Sequence, residues 1–164
     1  MVTRRRSIRI AFWGALLAAG LSAPALGQGS APISISADRD LAFGSIAPGP
    51  AGGSVTIDPA GGRTAAGVVV LGSGFGAASY TVRVNVNGGN PHYTITLPSS
   101  VTLQGPGAAT MTVDTFVSDP SGTGMAKPPA RVDQLAVGAT LRVGPNQPSG
   151  SYSAPFLVTV NLGN

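Results

Sequence analysis

A chain of 164 residues with no cysteine, no glutamate, one histidine and one lysine excludes disulfides, thiol chemistry and cysteine-type zinc sites. The formal charge of +4 comes wholly from Arg4, Arg5, Arg6 and Arg9; beyond them Arg39, Arg63, Arg83, Lys127, Arg131 and Arg142 balance Asp38, Asp40, Asp58, Asp114, Asp119 and Asp133. Single charges scattered in this way, without a basic stripe, exclude nucleic acid as a partner, and the pI of about 10.4 describes the first nine residues rather than the rest.

The N-terminal segment has the three parts of a secretory signal. Four arginines precede the uncharged run Ile10-Ala-Phe-Trp-Gly-Ala-Leu-Leu-Ala-Ala-Gly-Leu21, and the small-residue segment Ser22–Gly27 follows. A spanning helix wants roughly 20 apolar residues, and this run stops short at Pro24, so no stable membrane span is expected after cleavage. The cut falls after Ala25 (Ala23-Pro-Ala25) or after Gly27 (Ala25-Leu-Gly27), with Gly27 preferred. Thr3-Arg-Arg-Arg-Ser-Ile8 leaves a twin-arginine route open beside the general secretory one, which ranks first. The expected organisation is a signal peptide at 1–27 and a single β-sandwich domain at 28–164, a length that buries a sufficient core without staples.

Beyond Gly27 nothing has helical periodicity. Short alternating or β-branched runs recur between Gly, Pro, Asn and Asp turns, the pattern of a sandwich or barrel. The predicted strands are Ile33–Ala37, Leu41–Ile46, Ser54–Asp58, Gly67–Leu71, Ser79–Val86, His92–Leu97, Ala109–Ser118, Leu135–Val143 and Tyr152–Leu162. Tyr80, Val82, Val84 and Val86 share one face of their strand, which marks it as half-buried. Tyr93, Ile95 and Leu97 repeat the pattern, as do Phe156, Val158, Val160 and Leu162; Met111, Val113 and Phe116 do so less cleanly. Asn87-Gly-Gly-Asn-Pro91 predicts a hairpin connection, and Asp58–Gly62, Gln104–Gly107 and Gly144–Pro148 are further turns. Asp119–Gly124, running on to Pro129, predicts an exposed mobile loop.

The ordered set Leu41-Ala-Phe-Gly-Ser-Ile46, Gly53–Pro59, Tyr93–Ser99, Ala109-Thr-Met-Thr-Val113, Leu141-Arg-Val-Gly144, Gly150-Ser-Tyr-Ser and Phe156–Asn161 resembles the bacterial domain of unknown function 4402 family over nearly all of 28–164. More distantly it is similar to spore-coat-U-like and chaperone–usher fimbrial subunits. The resemblance implies an exported immunoglobulin-like antiparallel β-sandwich of about 7–9 strands, a component of a surface fibre. Two features depart from it. The last strand ends Asn161-Leu-Gly-Asn164 where that family often has an aromatic residue, and only Gln28-Gly-Ser-Ala-Pro32 precedes the first strand, where fimbrial subunits carry a donor strand. Either Ile33 and Ile35 are the apolar knobs of a donor strand entering a neighbour's groove, or Ile33–Ser36 is the domain's own first strand.

Catalytic constellations are not visible. His92 sits at a turn with no carboxylate nearby in sequence, and neither Ser73 nor Ser79 lies in a nucleophile-elbow motif. Asp38, Asp40, Asp58 and Asp119 fall at turns and strand ends, where aspartate bonds backbone amides, and Asp114 interrupts its strand as a bulge or a solvent-facing position. Neither Asp38-Arg-Asp40 nor Asp119–Gly124 has the dense oxygen ligands of a calcium loop. Gly72-Ser-Gly-Phe-Gly76 lacks the lysine and helix of a phosphate loop and reads as a flexible strand connection.

No catalytic residue, metal or cofactor is expected. The reading is a non-enzymatic, exported structural or assembly protein of the cell surface or periplasm, fimbria-like. Its partners are the export machinery and then itself or another surface subunit through β-edge pairing. The alternative is a monomeric module binding a glycan or protein, which a shortage of aromatic residues disfavours: Tyr80, Tyr93 and Tyr152 are the tyrosines and Trp13 the sole tryptophan. N-terminal sequencing of the exported protein should find a start between Leu26 and Gln28; a start that retains Trp13 would overturn the signal peptide.

Overall fold

The computed structural model describes residues 32–86 and 89–163, so the cleavage region at Ala23, Ala25 and Gly27 lies outside the described residues. The fold is all-β, with antiparallel ladders throughout. Its strands are β1 (Ile33–Arg39), β2 (Ala42–Pro48), β3 (Gly53–Ile57), β4 (Arg63–Ala66), β5 (Val68–Gly76), β6 (Ala78–Val84), β7 (His92–Thr96), β8 (Ser100–Gln104), β9 (Thr110–Asp119), β10 (Thr123–Met125), β11 (Val132–Val143) and β12 (Thr159–Leu162), with a 3₁₀ turn at Pro106–Ala108.

β11 is the spine. Along one edge Val132–Val137 pair with β6 and then Ala139–Val143 pair with β3, while Ala136–Arg142 pair with β9 along the other edge. β1 extends the large sheet beyond β6, β4 beyond β3, and β8 beyond β9. The handover from β6 to β3 falls at Gly138, where a Cβ would stand 2.2 Å from the Ile57 carbonyl oxygen. Only glycine lets the two backbones approach this closely. A second sheet, β10-β7-β12, packs over one end of the large sheet, and β2 with β5 forms a separate two-stranded ribbon.

Strand alternation places Leu135, Val137, Ala139, Leu141 and Val143 on one face of β11, all buried. Two core clusters share that stripe. The first joins Leu135 and Val137 to Ala78, Val82 and Val84 of β6, Tyr93 of β7, Ala126 and Val158. The second joins Ala139, Leu141 and Val143 to Val113 of β9, and is flanked by half-buried Leu41, Phe43, Ile46, Leu103, Met111 and Phe116.

Each of the nine predicted runs contains a strand, and three further strands lie between them. β4 is the return arm of one hairpin and β8 the outgoing arm of another, closed by Asp58–Gly62 and by the 3₁₀ turn respectively. Asp58 takes the Gly62 amide on Oδ1 at 2.8 Å, the turn role expected of it. β10 corrects the expected mobile loop. Gly124 and Ala126 are buried there, Thr123–Met125 pair with β7, and the Tyr93 ring lies so close that a Cβ on Gly124 would stand 2.1 Å from it. The hairpin expected at Asn87–Pro91 is corrected as well. Both edges of β6 are occupied, by β1 and β11, so the chain crosses to the other sheet and β7 pairs with β10 and β12. Gly72–Gly76 belongs to β5 rather than to a connection.

Asp114 is both a bulge and solvent-facing. Thr115 next to it has φ of 51°, and the β9–β11 register shifts between Gly138 and Thr140, which carries Phe116 back to the inner face. Outside, Arg142 pairs with the Asp114 carboxylate at 3.0 Å and, with the Thr115 hydroxyl, holds it below the usual carboxylate range.

The Tyr93 hydroxyl donates to Asp133 Oδ2 at 2.8 Å, and the Met125 amide donates to the same oxygen at 3.2 Å, fastening β7 and β10 to β11. Burial first, and the Asp133 bond second, push the phenol well above its ordinary value. Its folded pKa is therefore raised, and the stability it contributes is complete below about pH 10 and lost as the pH climbs beyond that. Tyr93→Phe should cost about 1.5–3 kcal/mol at neutral pH in denaturant melts. The gap between the two proteins should narrow above about pH 10, since only the wild type has a phenol at position 93 to ionise on unfolding.

Candidate functional site

Over the second core cluster the sandwich does not close. A groove of about 900 Å³ lies there, floored by Leu103 of β8, Met111, Val113 and Phe116 of β9, and Leu141 and Val143 of β11. Leu41, Phe43 and Ile46, in and just before β2, form one wall, and the stretch 147–156 forms the other.

The second wall follows from its prolines. Tyr152–Leu162 was expected to be one strand, and its alternation does hold, with Phe156, Val158, Val160 and Leu162 packed on the first core while Leu157 is exposed. Yet only Thr159–Leu162 joins a ladder, pairing with β7. Pro155 has no amide to donate, and Ala154–Leu157 make no backbone hydrogen bond in the structure. Among the described residues β2, opposite, has a ladder partner on one edge only, β5. A trough with an apolar floor therefore runs between two lengths of backbone, each with an edge that no strand of the described residues pairs.

Both ends are fastened. Ser153 and Gln104 exchange amide-to-carbonyl bonds at 3.0 Å in each direction. Gln147 Nε2 donates to the Thr110 carbonyl at 3.1 Å and to the Tyr152 hydroxyl at 2.9 Å, and that hydroxyl donates to the Pro148 carbonyl at 2.8 Å. The Tyr152 ring covers Gly105, where a Cβ would stand 2.2 Å from it. Phe116 and Phe156, with ring centroids 5.4 Å apart, separate the groove from the first core. At the rim, burial and then the Asp40 charge raise the Tyr80 pKa. Arg63 clamps the ribbon: its guanidinium donates to the Phe43 carbonyl at 3.3 Å and the Gly72 carbonyl at 3.0 Å, and lies 3.9 Å above the Phe75 ring centre.

Ile33 and Ile35 lie on β1, opposite Val84 and Val82 of β6 in the same chain and half-buried on the first core, away from the groove. His92 is exposed at the start of β7, on a second, polar cleft with Asp119, Lys127 and Asp133; neither Ser73 nor Ser79 lines it. Asp38 accepts the Thr81 hydroxyl at 2.8 Å. Among the described residues no three of His, Asp or Glu lie close enough to hold a metal ion. The groove itself was not foreseen. Its signal was Pro155 inside the otherwise alternating run Tyr152–Leu162. An apolar floor bordered by open backbone can hold an extended, alternating peptide, through main-chain hydrogen bonds and through pockets for every second side chain.

A family model described as Domain of unknown function (DUF4402) matches residues 33–162. No curated protein and no solved structure matches the chain.

Arg63→Ala should loosen the ribbon without unfolding the domain. Two hydrogen bonds and an exposed cation–π contact together hold it by about 2 kcal/mol, roughly a thirtyfold change in local opening. Hydrogen exchange should accelerate by about that factor across 42–47 and 69–75 and stay unchanged in β6 and β11. Uniform acceleration over all strands would show that the clamp stabilises the whole domain instead.

Proposed function

This chain belongs to the family described as Domain of unknown function (DUF4402), and from that premise we propose that it is an exported, non-enzymatic assembly protein of the cell surface or periplasm. It is a fimbria-like subunit whose sandwich is completed by a strand from outside. The observation that carries the reading is the groove between β2 and Ala154–Leu157, apolar within and bordered by backbone that no strand pairs. A strand laid there would satisfy both borders and cover the half-buried Leu41, Phe43, Ile46, Leu103 and Met111. The N-terminal signal and the balanced charge of the remainder support export to a compartment where such subunits meet.

A glycan-binding module has less support. Sugars stack on open aromatic faces, whereas Tyr93 is buried, Tyr80 and Tyr152 are half-buried, and the Phe75 ring is covered by Arg63. The donor is assigned to a partner's segment. For Ile33 and Ile35 to serve as donor knobs, β1 would first have to leave its ladder with β6.

The test uses the exported protein and a synthetic peptide of about eight residues alternating valine with threonine, a usual strand length. At about 100 times its Kd the peptide adds about 2.7 kcal/mol, which should raise Tm by roughly 5–10 °C. The same peptide with aspartate for valine should have no effect, because the groove would then bury unpaired charge. Replacing Ile33 and Ile35 with aspartate should lower Tm and leave the peptide response intact. A protein whose Tm ignores the valine peptide would sink the open-groove reading, and loss of the response in the double variant would move the donor role to β1.

A further inference from the structure

The open strand edges of the large sheet and the ribbon are not alike. β1 carries Asp38 and Arg39, β4 begins at Arg63, and β8 is tied at Gln104 to Ser153. Over Val68–Leu71, β5 has none of these protections. Between Arg63 and Arg83 the chain has neither a charged residue nor a proline. Among the described residues β5 pairs with β2 alone, and in it Val69 is 60% exposed, Leu71 49% and Val70 36%. Natural edge strands are usually blunted by charge, proline or a cover, because a bare apolar edge is a template for pairing. A lone two-stranded ribbon is also marginal in water, and further strands stabilise it.

We propose that β5 is a homotypic docking edge. Two copies of this chain pair β5 with β5 in antiparallel fashion about a two-fold axis, so that two ribbons become one sheet in the order β2-β5-β5-β2. The occupant is a second copy because of the charge pattern. A two-fold axis at Val70 sets Val70 against its own copy and Val69 against Leu71 of the other chain, which gives β-branched and leucine cross-strand pairs with no like charges opposed. A charged partner would find nothing to attract it along this edge. The paired length ends at Leu71, since Gly72 and Gly74 turn to positive φ and Arg63 holds the Gly72 carbonyl. This edge belongs to β5, whereas the groove borders β2, so the dimer goes beyond the open-groove reading and forms whether or not the groove is filled.

The experiment is sedimentation equilibrium of the exported protein over a concentration series. The wild type should show a monomer–dimer equilibrium, and replacing Val69 and Leu71 with lysine should raise the dissociation constant by at least about tenfold. Both side chains are exposed, so Tm should stay close to wild type, and the variant should still answer the valine–threonine peptide as the wild type does. The absence of native cysteine allows a second arm. Val70→Cys should cross-link into dimers on oxidation, and Thr64→Cys on neighbouring β4 should not. A wild type that stays monomeric at every concentration, a dimer indifferent to the two lysines, or equal cross-linking at both positions would overturn the proposal.

Discussion

The apolar face of β11 is longer than the cover the rest of the chain puts over it. Leu135, Val137, Ala139, Leu141 and Val143 form one continuous stripe, and a stripe of that kind must be buried against a second layer. The sheet β10-β7-β12 covers its first half, where Tyr93, Val158 and the β6 valines make a closed core. Over the second half the covering elements are the β2–β5 ribbon and a stretch containing two prolines, and neither brings a row of paired backbone across the gap. Most of the remaining architecture follows from this mismatch: the half-buried residues of β2, β8 and β9, the groove above them and the detached ribbon.

Polar contacts hold the unequal halves in register. Asp133 ends the β11 stripe and gathers the Tyr93 hydroxyl and the Met125 amide, which locks the covered half. On the opposite face of β11, the hydroxyls of Thr140 and Thr56 bond at 2.9 Å where β3 takes over from β6. Gly138 makes that junction possible. Among the described residues no buried side-chain nitrogen or oxygen lacks a partner. The unsatisfied groups that matter are backbone ones, and they border the groove.

The parts of this fold that were legible in the sequence are those written as alternation over five or more residues. β6, β7 and β9 announce both their extent and their inner face, and even the uneven spacing of Met111, Val113 and Phe116 is explained by one bulge at Asp114 and Thr115. What was not legible depends on contacts distant in sequence. β10 is three residues long and exists because Gly124 fits beneath the Tyr93 ring and Asp133 receives the next amide. The connection from β6 to β7 has the composition of a hairpin, yet it crosses between sheets because β1 and β11 have already taken both edges of β6. The groove is a property of two walls more than a hundred positions apart. Only Pro155, placed where a ladder amide would be needed, hints at it locally.

Leaving one half of a sandwich open is compatible with stability only if the other half suffices to order the chain. Here the closed half contains the larger core, and β11 carries its rigidity into the open half because the same strand floors both. The groove is therefore pre-organised. Its floor belongs to β8, β9 and β11, already bonded to one another, and its far wall is fastened through Gln147, Tyr152 and Ser153. An incoming strand would meet the entropic cost of ordering itself and little cost of ordering the receptor, which favours binding by a short segment. The near wall is the looser one, since the ribbon is held to the rest chiefly by Arg63 and its own apolar inner face. A wall of that kind can adjust to side chains of different size, and the four-residue run of β5 on its far side lets the same ribbon be braced from outside. In this arrangement the open groove and the bare edge are two consequences of one detached pair of strands.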